Sequence, residues 1–118
     1  MAHLPHTEYN IGYNMTVIVS KSAETLNEGI DNLIQAMKND YQLTENTKEY
    51  SAIEGRKYIK IVVGSSSVVA FVVKQKTKKF EMGDLLLPKS WNSPATNFAR
   101  GNVLEGNYPV QWTGPLYG

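Results

Sequence analysis

The chain has 118 residues and a mass of 13.2 kDa, is 42% hydrophobic and carries a net charge of +1, which suits one domain and is too little for two. No run reaches the roughly 18 apolar residues that a membrane helix needs, and no basic, apolar, small-residue signal opens the chain. With zero cysteines there is no disulfide framework, thiol nucleophile or thiolate metal site, and a reducing cytosol fits.

The charges divide by sign. Residues 1–55 hold three lysines against eight acids, and residues 56–118 hold nine bases against three acids. Such a split suits an anion-binding half, or halves or subunits that pack on each other.

Residues 1–14 show no hydrophobic period and predict a flexible arm. His3 and His6 lie there without a third ligand, so no metal site is expected. Met15 to Val19 is β-branched and predicts a strand. Next comes a helix: Thr25 and Glu28 have capping-box spacing, with Ser22 a rival cap. Leu26, Ile30, Leu33, Ile34 and Met37 then form one apolar stripe, and the helix is expected to end near Asn39. Residues 40–49 read as a loop or a further helical turn, and Tyr50 to Ile53 as a short strand or a lead-in.

The firmest pattern is a hairpin from Lys57 to Val73 around Gly64-Ser65-Ser66-Ser67. A four-residue turn pairs Val63 with Val68, Ile61 with Ala70 and Ile59 with Val72, all on one face that the helix should cover. The other face carries Tyr58, Lys60, Val62, Val69, Phe71 and Val73. A solvated face would be more polar, so it too needs a cover: the chain's own tail, a second subunit or a flat ligand. Aromatics beside a lysine on a sheet also suit a single-stranded nucleic-acid platform. That candidate surface is Tyr58, Lys60, Phe71, Lys74, Lys76, Lys78 and Lys79. The last four form a lysine-rich turn, and Phe80 to Met82 is expected to open a third strand.

Ser93 with Pro94 after it is helix-start punctuation, and Gly101 stands where such a helix would stop. A helix start there would aim the amides of Ala95 and Thr96 outward at an anion. Lys89, Ser90, Ser93 and Arg100 would add donors, and Trp91 would stack on a base. These seven residues are the candidate ligand site. Each also has a structural use: Ser93 as a cap, Trp91 in packing, Arg100 at a helix end.

Four stretches carry a resemblance. They are Lys57-Tyr58-Ile59-Lys60-Ile61-Val62, Phe71-Val72-Val73-Lys74-Gln75-Lys76-Thr77, Ser90-Trp91-Asn92-Ser93-Pro94-Ala95 and Ala99-Arg100-Gly101-Asn102. Together they resemble a family of small uncharacterised proteins encoded by tailed bacteriophages. The resemblance implies a setting in the cytoplasm of an infected bacterium, or in a virion, and no reaction.

Residues 105–118 are too apolar for a free tail and predict an extended segment packed on the domain, residues 15–104, or on a neighbouring subunit. The fold expected is α+β: an antiparallel sheet in β-α-β-β-β order, one long amphipathic helix and a short C-terminal helix. No phosphate-loop or dinucleotide fingerprint is present, and the acids of the basic half show no paired spacing, so an enzyme is not expected, nor a cofactor. Three functions remain. One is a non-catalytic binder of a small anionic ligand of the nucleotide class, which in a phage would sequester a host defence signal. Another is a single-stranded nucleic-acid module. The third is a homo-oligomeric structural protein, or one that binds a host protein; none involves a membrane.

Overall fold

A computed structural model describes residues 9–11, 17–43, 49–111 and 113–115. One helix and eight strands follow in the order β1 (Tyr9–Ile11), β2 (Val17–Val19), α1 (Leu26–Leu43), β3 (Tyr50–Glu54), β4 (Tyr58–Val63), β5 (Ser67–Val73), β6 (Leu85–Leu86), β7 (Tyr108–Gln111) and β8 (Gly114–Pro115). They build two antiparallel four-stranded sheets, ordered β1-β2-β7-β8 and β3-β4-β5-β6. The single sheet in β-α-β-β-β order is thereby overturned. The extra sheet is made by strands of two to four residues, too short to carry a period of their own.

The helix start is local chemistry. Glu28 N–H donates to Thr25 Oγ1 at 3.2 Å, and Thr25 N–H donates to Glu28 Oε1 at 3.3 Å, a reciprocal capping box. The helix continues past Asn39, whose side-chain amide donates to the Gln35 carbonyl inside the helix and so sets no stop. Its buried face is Ile30, Leu33, Ala36 and Met37. These meet Val17, Val19, Tyr108 and Val110 of the first sheet and Ile59, Ile61, Val63, Ala70 and Val72 of the second in one core. Gly29 allows the helix to lie on the backbone of the 100–106 loop, because a Cβ there would stand 2.5 Å from the Val103 carbonyl oxygen.

The β4–β5 hairpin pairs Ile59 with Val72 and Ile61 with Ala70 as its alternation requires. Nearer the turn the register moves by one: Val62 faces Val68 and Val63 faces Ser67, leaving Val69 as the extra residue of a bulge. Three residues, Gly64 to Ser66, therefore make the loop. The bulge turns Val69 into the main core and leaves Val68 on the opposite face, the reverse of the simple alternation.

Among the described residues, that opposite face is covered by the chain between 80 and 99. Phe71 and Val73 pack with Phe80 and Leu86, and Tyr58, Val68 and Ala99 close around them. Phe80 opens no strand: it closes a turn in which Thr77 N–H donates to the Phe80 carbonyl and Phe80 N–H donates to Thr77 Oγ1. The tail's described residues serve the first sheet, β7 pairing with β2 and β8 with β7. Tyr9–Ile11, inside the stretch read as an arm, pairs with β2; the rest of that stretch lies outside the described residues, as do both histidines.

No helix follows Ser93 among the described residues. The punctuation there is used by a different structure. Lys89 N–H and Ser90 N–H both donate to the Ser93 carbonyl, Ala95 N–H donates to the Leu87 carbonyl, and Pro88 faces Pro94. Pro94 pushes Ser93 towards extended backbone, and the chain returns alongside β6. Arg100 N–H donates to Leu85, Leu85 N–H to Gly101 and Val103 N–H to Gly83. A two-turn helix is marginal by itself, and these long-range hydrogen bonds outweigh it. Asn102 fastens the return: its amide donates to Met82 O and Asp84 Oδ1, and its Oδ1 accepts from Leu104 and Glu105 N–H.

Candidate functional site

The anion site expected at a helix start loses its physical basis. Ala95 N–H is spent on Leu87, and the Ser93 carbonyl closes the turn. Lys89, Ser90, Ser93 and Thr96 are exposed without converging on a common helix end. Arg100 is buried, its guanidinium 4.0 Å over the Phe98 ring, so it faces the interior and not an open anion site. Trp91 is different. It is 40% exposed, and Lys60 Nζ stands 4.2 Å above its ring. Two candidate surfaces that the sequence kept apart meet at this pair.

The lysines of the 74–79 turn divide into three kinds. Lys74 is committed: it donates to Glu54 Oε2 at 2.6 Å and to the Gly55 carbonyl at 2.9 Å. That hydrogen bond first, and the lysine's charge second, hold the Glu54 carboxyl below the usual glutamate range. Lys78 is exposed and lines neither of the two recesses formed around Tyr58. Lys76 and Lys79 line a groove of about 600 Å³. Lys76 keeps a loose, exposed partner in Glu81 at 3.4 Å, a contact of small worth in water.

Arg56, Lys57 and the half-buried Tyr58 also line the groove, over Val73 and Phe80, which are almost wholly buried. Thus four cations and one accessible aromatic ring, Tyr58, line the groove. Tyr58 is half-buried and stands edge-on to Phe71, centroids 5.9 Å apart. Phe71 is 2% exposed and so packs instead of stacking on a ligand. Sequence reasoning missed Arg56, Lys57, Gln75, Thr77 and Phe80 as groove residues. A signal existed for the first two. The register that sets Ile59 opposite Val72 also brings 56 and 57 beside 75 and 74, and Lys74 N–H donates to the Lys57 carbonyl.

A second recess of about 230 Å³ adjoins the first, sharing Arg56, Lys57 and Tyr58 and running on to Lys60 and Asn92. Among the described residues no group of three metal-ligating side chains gathers anywhere, and no helix is long and apolar enough to cross a membrane. What the groove can do chemically is to neutralise an anion while holding an apolar or aromatic body against its floor. Its charges are solvated lysines and an arginine, which attract at range and exchange quickly.

Fold and groove define a small domain of two antiparallel sheets and one helix, with a cationic and aromatic channel across the outer face of one sheet. The chain belongs to a family of unknown function, DUF7717, whose model matches residues 6–117. No curated protein matches the chain, and no solved structure does.

Proposed function

We propose that this protein is a non-catalytic binder of an anionic ligand of the nucleotide class, held in the groove between Arg56–Tyr58 and Lys76–Phe80. One observation carries the reading: four cations and the half-buried ring of Tyr58 line one groove. Phosphate suits the lysines and arginine, and a base suits the Tyr58 ring. The non-catalytic part is supported by the lining itself, which offers no carboxylate or imidazole for proton transfer among the described residues. Of its two side-chain hydroxyls, on Tyr58 and Thr77, the Thr77 one already accepts from Lys79 and Phe80 N–H.

The resemblance to tailed-phage proteins supports a setting in the cytoplasm of an infected bacterium. There a binder without chemistry works by lowering the free concentration of its ligand, here a nucleotide signal of the host.

The test is thermal unfolding with a panel of nucleoside mono-, di- and triphosphates and dinucleotides, with inorganic phosphate as control. A ligand at about 100 times its Kd raises stability by about 2.7 kcal/mol, which is a shift of several degrees for a chain of this size. Lys76→Gln with Lys79→Gln, which should weaken binding about tenfold at low salt, should cut the shift to about half. A panel in which nothing moves the transition at saturating concentration rules the reading out.

A further inference from the structure

The larger groove continues along β4 into the smaller recess, which reaches Lys60 and Asn92, and the two together form the channel. Tyr58 and Lys60 alternate along β4 on the same face, about 7 Å apart. Beside Lys60 stands Trp91, which lines neither recess and is presented at their rim by the hydrogen-bonded turn in which Lys89 and Ser90 N–H share the Ser93 carbonyl. Lys60 holds that loop in place twice over: its ammonium stands 4.2 Å over the indole and donates to Asn92 Oδ1 at 3.1 Å. An ammonium has three N–H donors, so two remain after Asn92. Lys60 thus sits between two accessible aromatic rings, the half-buried Tyr58 and the exposed Trp91. The two recesses that flank it share Arg56, Lys57 and Tyr58. An exposed tryptophan beside a cation on a rigid turn stacks on a planar group at little ordering cost.

We propose that the channel takes a ligand with two nucleobases joined through a phosphodiester. One base lies against Tyr58, the second on Trp91, and the bridging phosphate on Lys60 with Arg56. This rests on the nucleotide reading and narrows it from one base to two. The same chemistry is offered by a cyclic dinucleotide and by two adjacent residues of a single strand.

Titration calorimetry of the full chain at one fixed salt concentration tests it. The probes are mono- and dinucleotides of each of the four bases, the dinucleotides linear and cyclic, and a ten-residue single strand. A dinucleotide should bind at least about tenfold more tightly than its mononucleotide, about 1.4 kcal/mol. Trp91→Ala and, separately, Lys60→Met should bring that ratio to about one, with circular dichroism confirming the fold. Trp91→Phe should keep part of the advantage. A cyclic form that binds more tightly than the strand assigns a small signal molecule; a strand that binds more tightly, with an affinity that falls steeply with salt, assigns nucleic acid. Equal constants for one base and two overturn the two-station channel and leave the mononucleotide reading standing. Binding of none of the probes overturns both.

Discussion

Tyr108 offers the sharpest test of the core. Its side chain is 2% exposed, and its hydroxyl meets no hydrogen-bond partner among the described residues. The ring packs against Gly101, where an added Cβ would stand 2.6 Å from Tyr108 Cβ. A buried hydroxyl left unpaired costs about 1–3 kcal/mol. Tyr108→Phe keeps the ring and removes that cost, at the expense of a void the size of one oxygen atom. The net expectation is a gain of about 1 kcal/mol, or about 4 °C in Tm for a chain of this length. Burial also raises the phenol's pKa above its ordinary value, because the phenolate would be desolvated. The sign follows from that direction. Below the unfolded value of about 10 both states hold the proton, and this group adds no slope. Above it the unfolded chain releases the proton while the folded chain keeps it. Wild-type stability then falls by up to about 1.4 kcal/mol per pH unit from this residue. The variant lacks that component, so the gap between the two proteins widens above pH 10 while the other tyrosines cancel. Urea unfolding of both proteins between pH 7 and 11.5 measures it. A variant less stable than wild type at pH 7 by about 1 kcal/mol or more, or two curves that stay parallel above pH 10, refutes the unpaired-hydroxyl argument.

Other substitutions probe the remaining joints. Gly29→Ala raises helix propensity by about 1 kcal/mol, yet it drives a methyl to within 2.5 Å of the Val103 carbonyl; a net loss of about 2 kcal/mol is expected in chemical denaturation, and a stabilised variant would show that helix and loop do not touch there. Thr25→Ala removes the oxygen that accepts from Glu28 N–H and should cost about 1 kcal/mol by the same measurement. Exchanging Lys76 and Lys79 together for glutamine should weaken ligand binding about tenfold at low salt and much less at about 0.5 M, because exposed charges are screened; equal losses at both salt levels would mean that these lysines act by shape, not charge.

The parts legible in the sequence share one property: their signals are satisfied by neighbours. The capping box of Thr25 and Glu28 spans three residues and closes on itself. The stripe from Leu26 to Met37 follows the helix's own period, and the β4–β5 pairing follows from one short turn and strict alternation. The lysines at 76 and 79 and the aromatic at 58 were visible for the same reason, as side chains of a hairpin whose register can be read. What only the tertiary structure decided depends on partners distant in the chain. Strand β2 pairs with β7, some ninety residues on, and segments this short carry no pattern that names a partner. Ser93 and Pro94 satisfy the local rule for a helix start equally well in the turn they form, and the choice fell to carbonyls at Leu85 and Leu87 that only folding brings near. The bulge at Val69 reversed two valines that alternation had assigned. The meeting of Lys60 with Trp91, thirty-one residues apart, likewise required both the sheet face and the turn to be in place. Local chemistry chooses among conformations of a few residues; closing a long loop costs entropy that only the assembled core and its hydrogen bonds offset.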